Sequence, residues 1–119
     1  MSALLFTVPG PIVSGNRASR IVNGRAVKSA EKRRTEERVR SISFAAALKA
    51  GWVPPERAAV YIVAVNSRYD ADNLVKALSD GMVPYAIVND NPKHLRALHI
   101  RHAEKDTLGE RYEIRVEVR

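Results

Sequence analysis

Apolar and polar residues follow two spacings along this chain, and together they predict alternating strands and helices. Residues 58–65, Ala-Ala-Val-Tyr-Ile-Val-Ala-Val, form a continuous apolar run that is typical of a central strand buried on both faces. Residues 3–8 form a shorter strand, which a Pro-Gly-Pro turn ends. Residues 95–102 and 111–118 alternate apolar with charged side chains. That alternation predicts an antiparallel hairpin, joined by residues 104–110, with one face against the core.

The segment between the first two strands predicts a long helix with two different halves. Ser29 is a suitable N-cap, the helix runs to about Ala50, and Gly51 is its stop. Residues 31–40 are almost all charged, whereas the later turns carry apolar side chains. We therefore expect the first turns to face solvent or a ligand, and the later turns to pack on the core. Residues 12–28, which precede the helix, are predicted to form a basic loop.

A second, shorter helix is predicted after the central strand. It covers residues 73–80, with Asp70 or Asp72 as its N-cap and Gly81 as its end. The resulting order is β-α-β-α-β-β, an α+β fold in which helices flank a small mixed sheet. With 119 residues the chain is long enough for one hydrophobic core, so residues 1–119 are predicted to form a single domain.

The overall charge and composition narrow the classes of partner. The chain has 20 Lys and Arg against 13 Asp and Glu, a net charge of +7, which favours a polyanion such as nucleic acid. A membrane is disfavoured, because no helix pairs a basic face with a large aromatic one and no apolar run approaches the roughly 20 residues of a span. The absence of Cys excludes disulfides and thiolate zinc sites. The start of the chain lacks the features of a signal peptide, so we expect a cytoplasmic protein.

Positive charge is concentrated in residues 16–40. That segment carries nine basic residues and three acidic ones, an excess of six (nine minus three). A solvated helix face, with pairs one turn apart such as Glu36 and Arg40, is the plain alternative. The excess is larger than such pairing neutralises, so we predict contacts to phosphate groups that do not depend on base sequence. The residues predicted to contact DNA are Arg17, Arg20, Arg25, Lys28, Lys32, Arg33 and Arg34.

Three aspartates stand out against this basic background. Asp70 and Asp72 are two residues apart at the end of the central strand, and in an extended segment both side chains point the same way. Asp90 comes from a turn after the short helix, and folding can bring it to the other two. Carboxylates this close repel one another unless a cation such as Mg²⁺ lies among them. With Lys76 placed to bind a phosphate or developing negative charge, the cluster predicts a metal-dependent nuclease.

Ordinary structural roles explain the same residues on spacing alone, and they stay open at this stage. Asp70 or Asp72 can serve only as a helix cap, and Lys76 can be a solvated residue paired with Asp72. Asp90 can be a turn former beside an Asn-Pro dipeptide. Caps and turns of this kind are frequent, so the spacing does not decide between a structural and a catalytic cluster.

Histidine and aromatic residues are weaker candidates for a site. His99 and His102 are three apart in a predicted strand and face opposite sides, so with His94 they are predicted to be surface or DNA-facing residues rather than a metal cluster. Trp52 is predicted to pack in the core or in a dimer interface. Tyr69, which precedes the first aspartate, keeps open a stacking or wedge role in DNA.

The spacing of polar residues in this region resembles that of a known family. The pattern is Asp70-x-Asp72-Asn73-x-x-Lys76, followed by Asp80 and then by Ile87-Val88-Asn89-Asp90. It is similar to the RusA family of Holliday junction resolvases, which are common in phages and prophages. The opening strand with its Gly-Pro turn and Asn-Arg pair, in residues 6–17, and the basic first helix, in residues 27–39, also resemble that family. The likeness covers essentially the whole chain.

The resemblance implies a homodimeric, Mg²⁺-dependent endodeoxyribonuclease that cuts four-way DNA junctions in recombination and repair. Asp70, Asp72 and Asp90 match the metal-binding aspartates of the family, and Lys76 matches its catalytic lysine. One position departs from the pattern, because Asn89 stands where the family often has a further aspartate. The implied cofactor is Mg²⁺, with Mn²⁺ left open and no organic cofactor. The implied setting is the cytoplasm of a bacterium or of a phage-infected host.

Two other functions compete with a junction resolvase. The first is a non-catalytic, basic nucleic-acid-binding module, which needs the positive surface but not the aspartates. The second is a metal nuclease that acts on other branched DNA, such as flaps. Loss of the Asp70 carboxylate separates a binder from a nuclease, and a comparison of DNA substrates separates the two nucleases.

Overall fold

Four strands and two helices form the main body of the protein, in the predicted order β-α-β-α-β-β. The structure, a computed structural model, describes residues 3–12, 19–22, 25–28 and 30–119, and the side chains of residues 19–22, 25–28 and Asp72 are outside this description. The elements are β1 (Ala3–Pro9), β2 (Ser19–Val22), β3 (Arg25–Lys28), α1 (Ala30–Ala50), β4 (Ala58–Val65), α2 (Ala71–Met82), β5 (Leu95–His102) and β6 (Arg111–Val118). The predicted α+β class is confirmed. Neither of the described helices is long and apolar enough to cross a membrane.

The main sheet has the strand order β1-β6-β4-β5. β6 is antiparallel to both of its neighbours, whereas β5 is parallel to β4. The predicted hairpin between β5 and β6 is therefore wrong, because β4 lies between them. β5 follows β4 through α2, and such a crossover connection makes consecutive strands parallel. β6 then fills the position between β1 and β4, where its core-facing residues are buried: Tyr112, Ile114 and Val116.

A two-stranded antiparallel sheet, β2 paired with β3, lies within the segment that was predicted to be a loop. The sequence Asn-Gly at positions 23 and 24 is a strong hairpin signal that the prediction of a loop passed over. Three of the predicted DNA-contacting residues, Arg20, Arg25 and Lys28, belong to these strands, but their side chains are outside the described part of the chain. Arg17 and the predicted cap Ser29 are also outside it.

Helix α1 packs along its whole length rather than only in its later turns. Its buried residues recur every three or four positions, which places them on one face of the helix; they are Lys32, Thr35, Val39, Ser43 and Ala47. By contrast, the apolar Leu48 near the end of the helix is 71% exposed. The expected division into a solvated half and a packed half is therefore wrong. Most side chains on the buried face are small or polar, because this face lies close against α2.

Gly81 sets how closely the two helices approach. α2 continues to Met82, so Gly81 lies inside the helix and does not end it, contrary to the prediction. A Cβ atom at Gly81 would lie 2.4 Å from Val39 Cβ and 2.9 Å from the Glu36 carbonyl oxygen, both on α1. Contacts that short do not occur, so any side chain here forces the helices apart. Arg40 of α1 makes a second link between the helices, because its guanidinium group donates to the carbonyl oxygens of Asp80 and Val83 at the end of α2.

We expect Gly81→Ala to lower the free energy of unfolding by up to about 2 kcal/mol. Overpacking a close contact usually costs about 1–3 kcal/mol, and the gain of about 1 kcal/mol that Ala brings to a helix interior offsets part of that cost. Denaturant titration followed by circular dichroism measures it, with the exposed α1 substitution Glu37→Ala as the control that changes little. Equal or greater stability of Gly81→Ala would show that α1 and α2 do not touch at this point.

The segment between β4 and α2 is fixed by a hydrogen-bonded clamp. Asn66 follows β4 with a φ of 57°, in the left-handed region that Asn tolerates better than most residues. Its side-chain amide donates to Asp106 Oδ1 at 2.9 Å and to the Gly109 carbonyl oxygen at 3.0 Å. Arg111 donates two hydrogen bonds to the Asp106 carboxylate and holds the pKa of that carboxyl well below its usual range. The chain that leads to α2 is therefore anchored to the β5–β6 connection.

Candidate functional site

Asp70 stands at the N-cap position of α2, but its carboxylate does not cap the helix. Its backbone is extended, with φ −67° and ψ 157°, and its side chain makes no capping hydrogen bond. The backbone carbonyl oxygen of Asp70 instead accepts from the amides of Asn73 at 3.1 Å and Leu74 at 3.2 Å. The exposed carboxylate is thus not used to begin the helix, and the position beside a helix N-terminus suits negative charge.

Asp72 is the second residue of α2, and its side chain is outside the described part of the chain. Position 72 lies one turn before Lys76, and position 80 lies one turn after it. Residues four apart share one face of a helix, so these three positions form a single stripe along α2. The predicted proximity of Lys76 to the start of the helix follows from this backbone placement.

Lys76 and Asp90 meet across the turn that follows α2. Lys76 Nζ lies 3.9 Å from Asp90 Oδ2, although fourteen positions (90 minus 76) separate them in the chain. The two predicted site residues are therefore neighbours. The Lys76 side chain is 75% exposed, so it can leave Asp90 to contact a ligand. Both line a cleft of about 350 Å³, whose other polar lining residues are Glu36, Arg40, Asp80 and Asn89.

Asp80 is a member of this cluster that the sequence argument gave no role. Its Oδ1 atom lies 4.0 Å from Lys76 Nζ, and its Oδ2 atom lies 3.8 Å from Lys32 Nζ. Burial raises the pKa of the Asp80 carboxyl above its ordinary value of 3.8, the two lysines oppose that shift, and the nearby Asp90 adds to it. The i,i+4 spacing from Lys76 was the sequence signal for this pair.

Lys32 does not belong to the predicted DNA-binding surface, and this part of the prediction is corrected. The residue is 5% exposed, and its ammonium group donates to the Lys76 carbonyl oxygen at 3.3 Å. Its place on the face of α1 that packs against α2 draws it inward, where Asp80 compensates its charge. Arg33 and Arg34, which follow on the same helix, are exposed and remain available for contact with a polyanion.

The donor groups suit a hard divalent cation, because Mg²⁺ prefers carboxylate oxygens. Asp70 is exposed and does not cap α2, and Asp90 is only partly buried beside a lysine. Among the side chains that the structure describes, no three His, Cys, Asp or Glu residues gather closely enough to hold a metal. Asp90 lines the cleft, Asp70 is not among its described lining residues, and the Asp72 side chain lies outside the described part of the chain, so the predicted triad stays a prediction.

The other candidate residues have structural contacts of their own. The Tyr69 hydroxyl donates to the Ile12 carbonyl oxygen at 2.9 Å, which ties this ring to the segment after β1 and leaves it poorly placed to act as a wedge. His102 Nε2 lies 2.8 Å from the Tyr69 carbonyl oxygen, and the His99 ring stacks on Tyr61. The Trp52 indole is buried and donates to the carbonyl oxygen of Ala86, so it is a core residue.

Together these features define a basic α+β protein with a lysine and aspartate cleft beside a parallel β-α-β unit. In comparisons with known proteins, the chain matches no protein-family model and no curated protein. The resemblance to the RusA family therefore depends on the motif residues alone.

Proposed function

We propose that the protein is a Mg²⁺-dependent endodeoxyribonuclease that resolves four-way DNA junctions by paired, symmetric nicks. The observation that carries this proposal is the contact between Lys76 Nζ and Asp90 Oδ2 at 3.9 Å. Lys76 lies on α2, and Asp70, at the N-cap position of that helix, makes no capping hydrogen bond with its side chain. A solvated helix lysine has no need of an acidic partner from a separate turn. A phosphodiesterase needs that combination, because it must place both a cation and carboxylates against one phosphate.

Each site residue has a distinct part in this proposal. Asp70, Asp72 and Asp90 would hold Mg²⁺, which supplies an activated water and offsets the charge of the phosphate when it is bound. Lys76, with its long and exposed side chain, would contact the scissile phosphate and stabilise the negative charge that develops in the transition state. Asn89 leaves the acidic turn with one carboxylate, Asp90, to serve as ligand.

The DNA would be held through its phosphates rather than its bases. Arg33 and Arg34 are exposed in the early turns of α1, next in sequence to Lys32, which contacts Asp80 and the Lys76 carbonyl oxygen. The predicted contacts of Arg17, Arg20, Arg25 and Lys28 would extend this surface. A homodimer with two-fold symmetry presents two equivalent clefts, which suits a substrate that must be cut twice. The proposal places this activity in the cytoplasm of a bacterium or an infected host.

Cleavage of defined substrates tests the reaction class. The purified protein is incubated with a synthetic four-way junction, a flap and a linear duplex of the same arm sequences, each with Mg²⁺ and with EDTA. We expect paired nicks in the junction that depend on Mg²⁺, and little cutting of the linear duplex. Preferential cutting of the flap would favour the other branched-DNA nuclease, and binding to all three substrates without cutting would favour a non-catalytic module.

Metal binding can be tested without any DNA. At ten times the dissociation constant, Mg²⁺ should stabilise the folded protein by about 1.4 kcal/mol, which raises the melting temperature by about 4–8 °C for a domain of this size. Asp90→Asn should lose most of this rise, while Glu117→Gln, a carboxylate change on the sheet and away from the cleft, should keep it. Equal Mg²⁺ responses in Asp90→Asn and the wild type would remove Asp90 from the ligand set.

A further inference from the structure

Contacts between charges of opposite sign link four side chains, three in the cleft and the buried Lys32 beneath it. Lys32 Nζ lies 3.8 Å from Asp80 Oδ2, Asp80 Oδ1 lies 4.0 Å from Lys76 Nζ, and Lys76 Nζ lies 3.9 Å from Asp90 Oδ2. Asp80 and Asp90 thus flank the same ammonium group at nearly equal distances. Lys76 is shared between one carboxylate that is a proposed metal ligand and one that is not.

Lys32, at the inner end of these contacts, is buried, whereas the Lys76 side chain is mostly exposed. Lys32 is buried in the contact between the two helices, and besides its pairing with Asp80 it donates to the carbonyl oxygen of Lys76. One α1 side chain therefore fixes both the backbone of Lys76 and the carboxylate that faces its ammonium group. Lys76 itself is mostly exposed, so its side chain depends on such partners for its position.

Binding of a divalent cation by Asp90 would weaken the attraction between the Asp90 carboxylate and the Lys76 ammonium group. A carboxylate that coordinates a metal has less negative charge to offer an ammonium group, and the cation repels that group. If Asp90 were its partner alone, the lysine would either compete with the metal or be driven out of the cleft. Asp80 also contacts this ammonium group, is held on its other oxygen by Lys32, and is not among the proposed ligands.

From this arrangement, and on the basis of the nuclease function proposed above, we infer that Asp80 is a positioning residue: it keeps Lys76 in the cleft while Asp90 binds the metal. It is not itself a proposed ligand, and in this role it acts through Lys76. Lys32 supports the same role by holding the Asp80 carboxylate in place. The stripe of positions 72, 76 and 80 on α2 thus combines a proposed ligand, a proposed catalytic group and the residue that orients it.

The inference predicts that Asp80→Asn weakens both metal binding and cleavage, but only through Lys76. The Mg²⁺ concentration at the midpoint of the thermal-shift titration should rise by about tenfold, and single-turnover junction cleavage should fall by about 10- to 100-fold, the usual range for residues that orient a metal site. Affinity for the junction in EDTA should not change. Glu117→Gln is the matched control for loss of a carboxylate.

A double-mutant comparison separates positioning from a general structural defect. When Lys76→Ala is already present, adding Asp80→Asn should leave the Mg²⁺ midpoint nearly unchanged, because the competing ammonium group is gone. An equal rise of the midpoint with and without Lys76 would overturn the positioning role. If Asp80→Asn alone folds poorly, Lys32→Met with Asp80→Asn removes both opposed charges, and the same comparison is made in that background.

The outcomes distinguish this inference from the function on which it depends. A wild-type protein that shows no Mg²⁺-dependent shift and cuts no DNA would overturn the nuclease proposal and this inference with it. A wild type that binds Mg²⁺ and resolves junctions, together with an Asp80→Asn variant that does both equally well, would overturn only the role of Asp80.

Discussion

Asp70→Asn is expected to abolish junction cleavage and leave junction binding intact. Loss of an electrostatic group that acts on the transition state typically reduces the rate by about 10²–10³, so we expect at least a hundredfold loss. The fold should tolerate the change, because the Asp70 side chain is exposed and makes no capping hydrogen bond to α2. Only the carboxylate charge is removed, and the surface proposed to bind phosphates is unchanged.

Gel-shift and cleavage assays on the same preparation measure both quantities for Asp70→Asn. The melting temperature in EDTA, compared with that of the wild type, verifies that the variant is folded. Glu117→Gln, which removes a carboxylate from the open face of the sheet, should cut normally. Full cleavage by Asp70→Asn would exclude Asp70 from the metal site, and loss of binding with cleavage would indicate a DNA-contact role instead.

Replacing Arg33 and Arg34 together by Ala is expected to weaken binding to every junction by a similar factor. Each phosphate contact contributes about one unit to the slope of log affinity against log salt, so the slope should decrease by about two. Both side chains are exposed in the early turns of α1, whereas Lys32 beside them is turned inward to α2. Titrations at several salt concentrations, on two junctions of unrelated sequence, provide the measurement.

The double substitution of Arg57 and Arg119 by Ala is the matched control. It also removes two positive charges, but from the end of the sheet where β4 begins and β6 ends. These residues are exposed and joined by a backbone hydrogen bond of 3.0 Å, just before β4 begins and just after β6 ends. β4 spans about 26 Å at 3.3 Å per residue, which separates them from the segment that leads to the cleft. If the control lowered the salt slope as much as the α1 variant, net charge rather than the α1 surface would govern binding.

The sequence predicted individual elements well where one physical signal was strong. The bounds of β4 follow from its unbroken apolar run, and the end of α1 follows from Gly51, whose φ of 66° favours glycine. The alternation of β5 and β6 predicted their lengths but not their neighbours. Alternation decides which face of a strand is buried, whereas pairing depends on how the whole chain connects.

Burial of polar residues in the two-helix contact was not predictable in the same way. Lys32 and Thr35 lie in the charged half of α1, yet both are buried. They are on the face of α1 that packs against α2, where the Lys32 ammonium group donates to the Lys76 carbonyl oxygen. The short helix and turn predicted that Asp90 would approach Asp70 and Asp72, and the structure places Asp90 beside Lys76. The contacts of Asp80 with Lys32 and Lys76 required coordinates, since the spacing of Lys76 and Asp80 alone is that of an ordinary surface pair.

The position of β6 in the sheet has a consequence for the order in which the chain can fold. Ala3 of β1 pairs in register with Glu117 of β6. These two strands, far apart in the sequence, must therefore meet before the sheet can close. During synthesis, β1 and β4 are made long before the strand that will lie between them. Until it arrives each exposes an unpaired edge, and such edges favour association with other chains. We therefore expect a slow closing step, dominated by contacts between distant residues, and a nascent chain that benefits from chaperones until β6 is inserted.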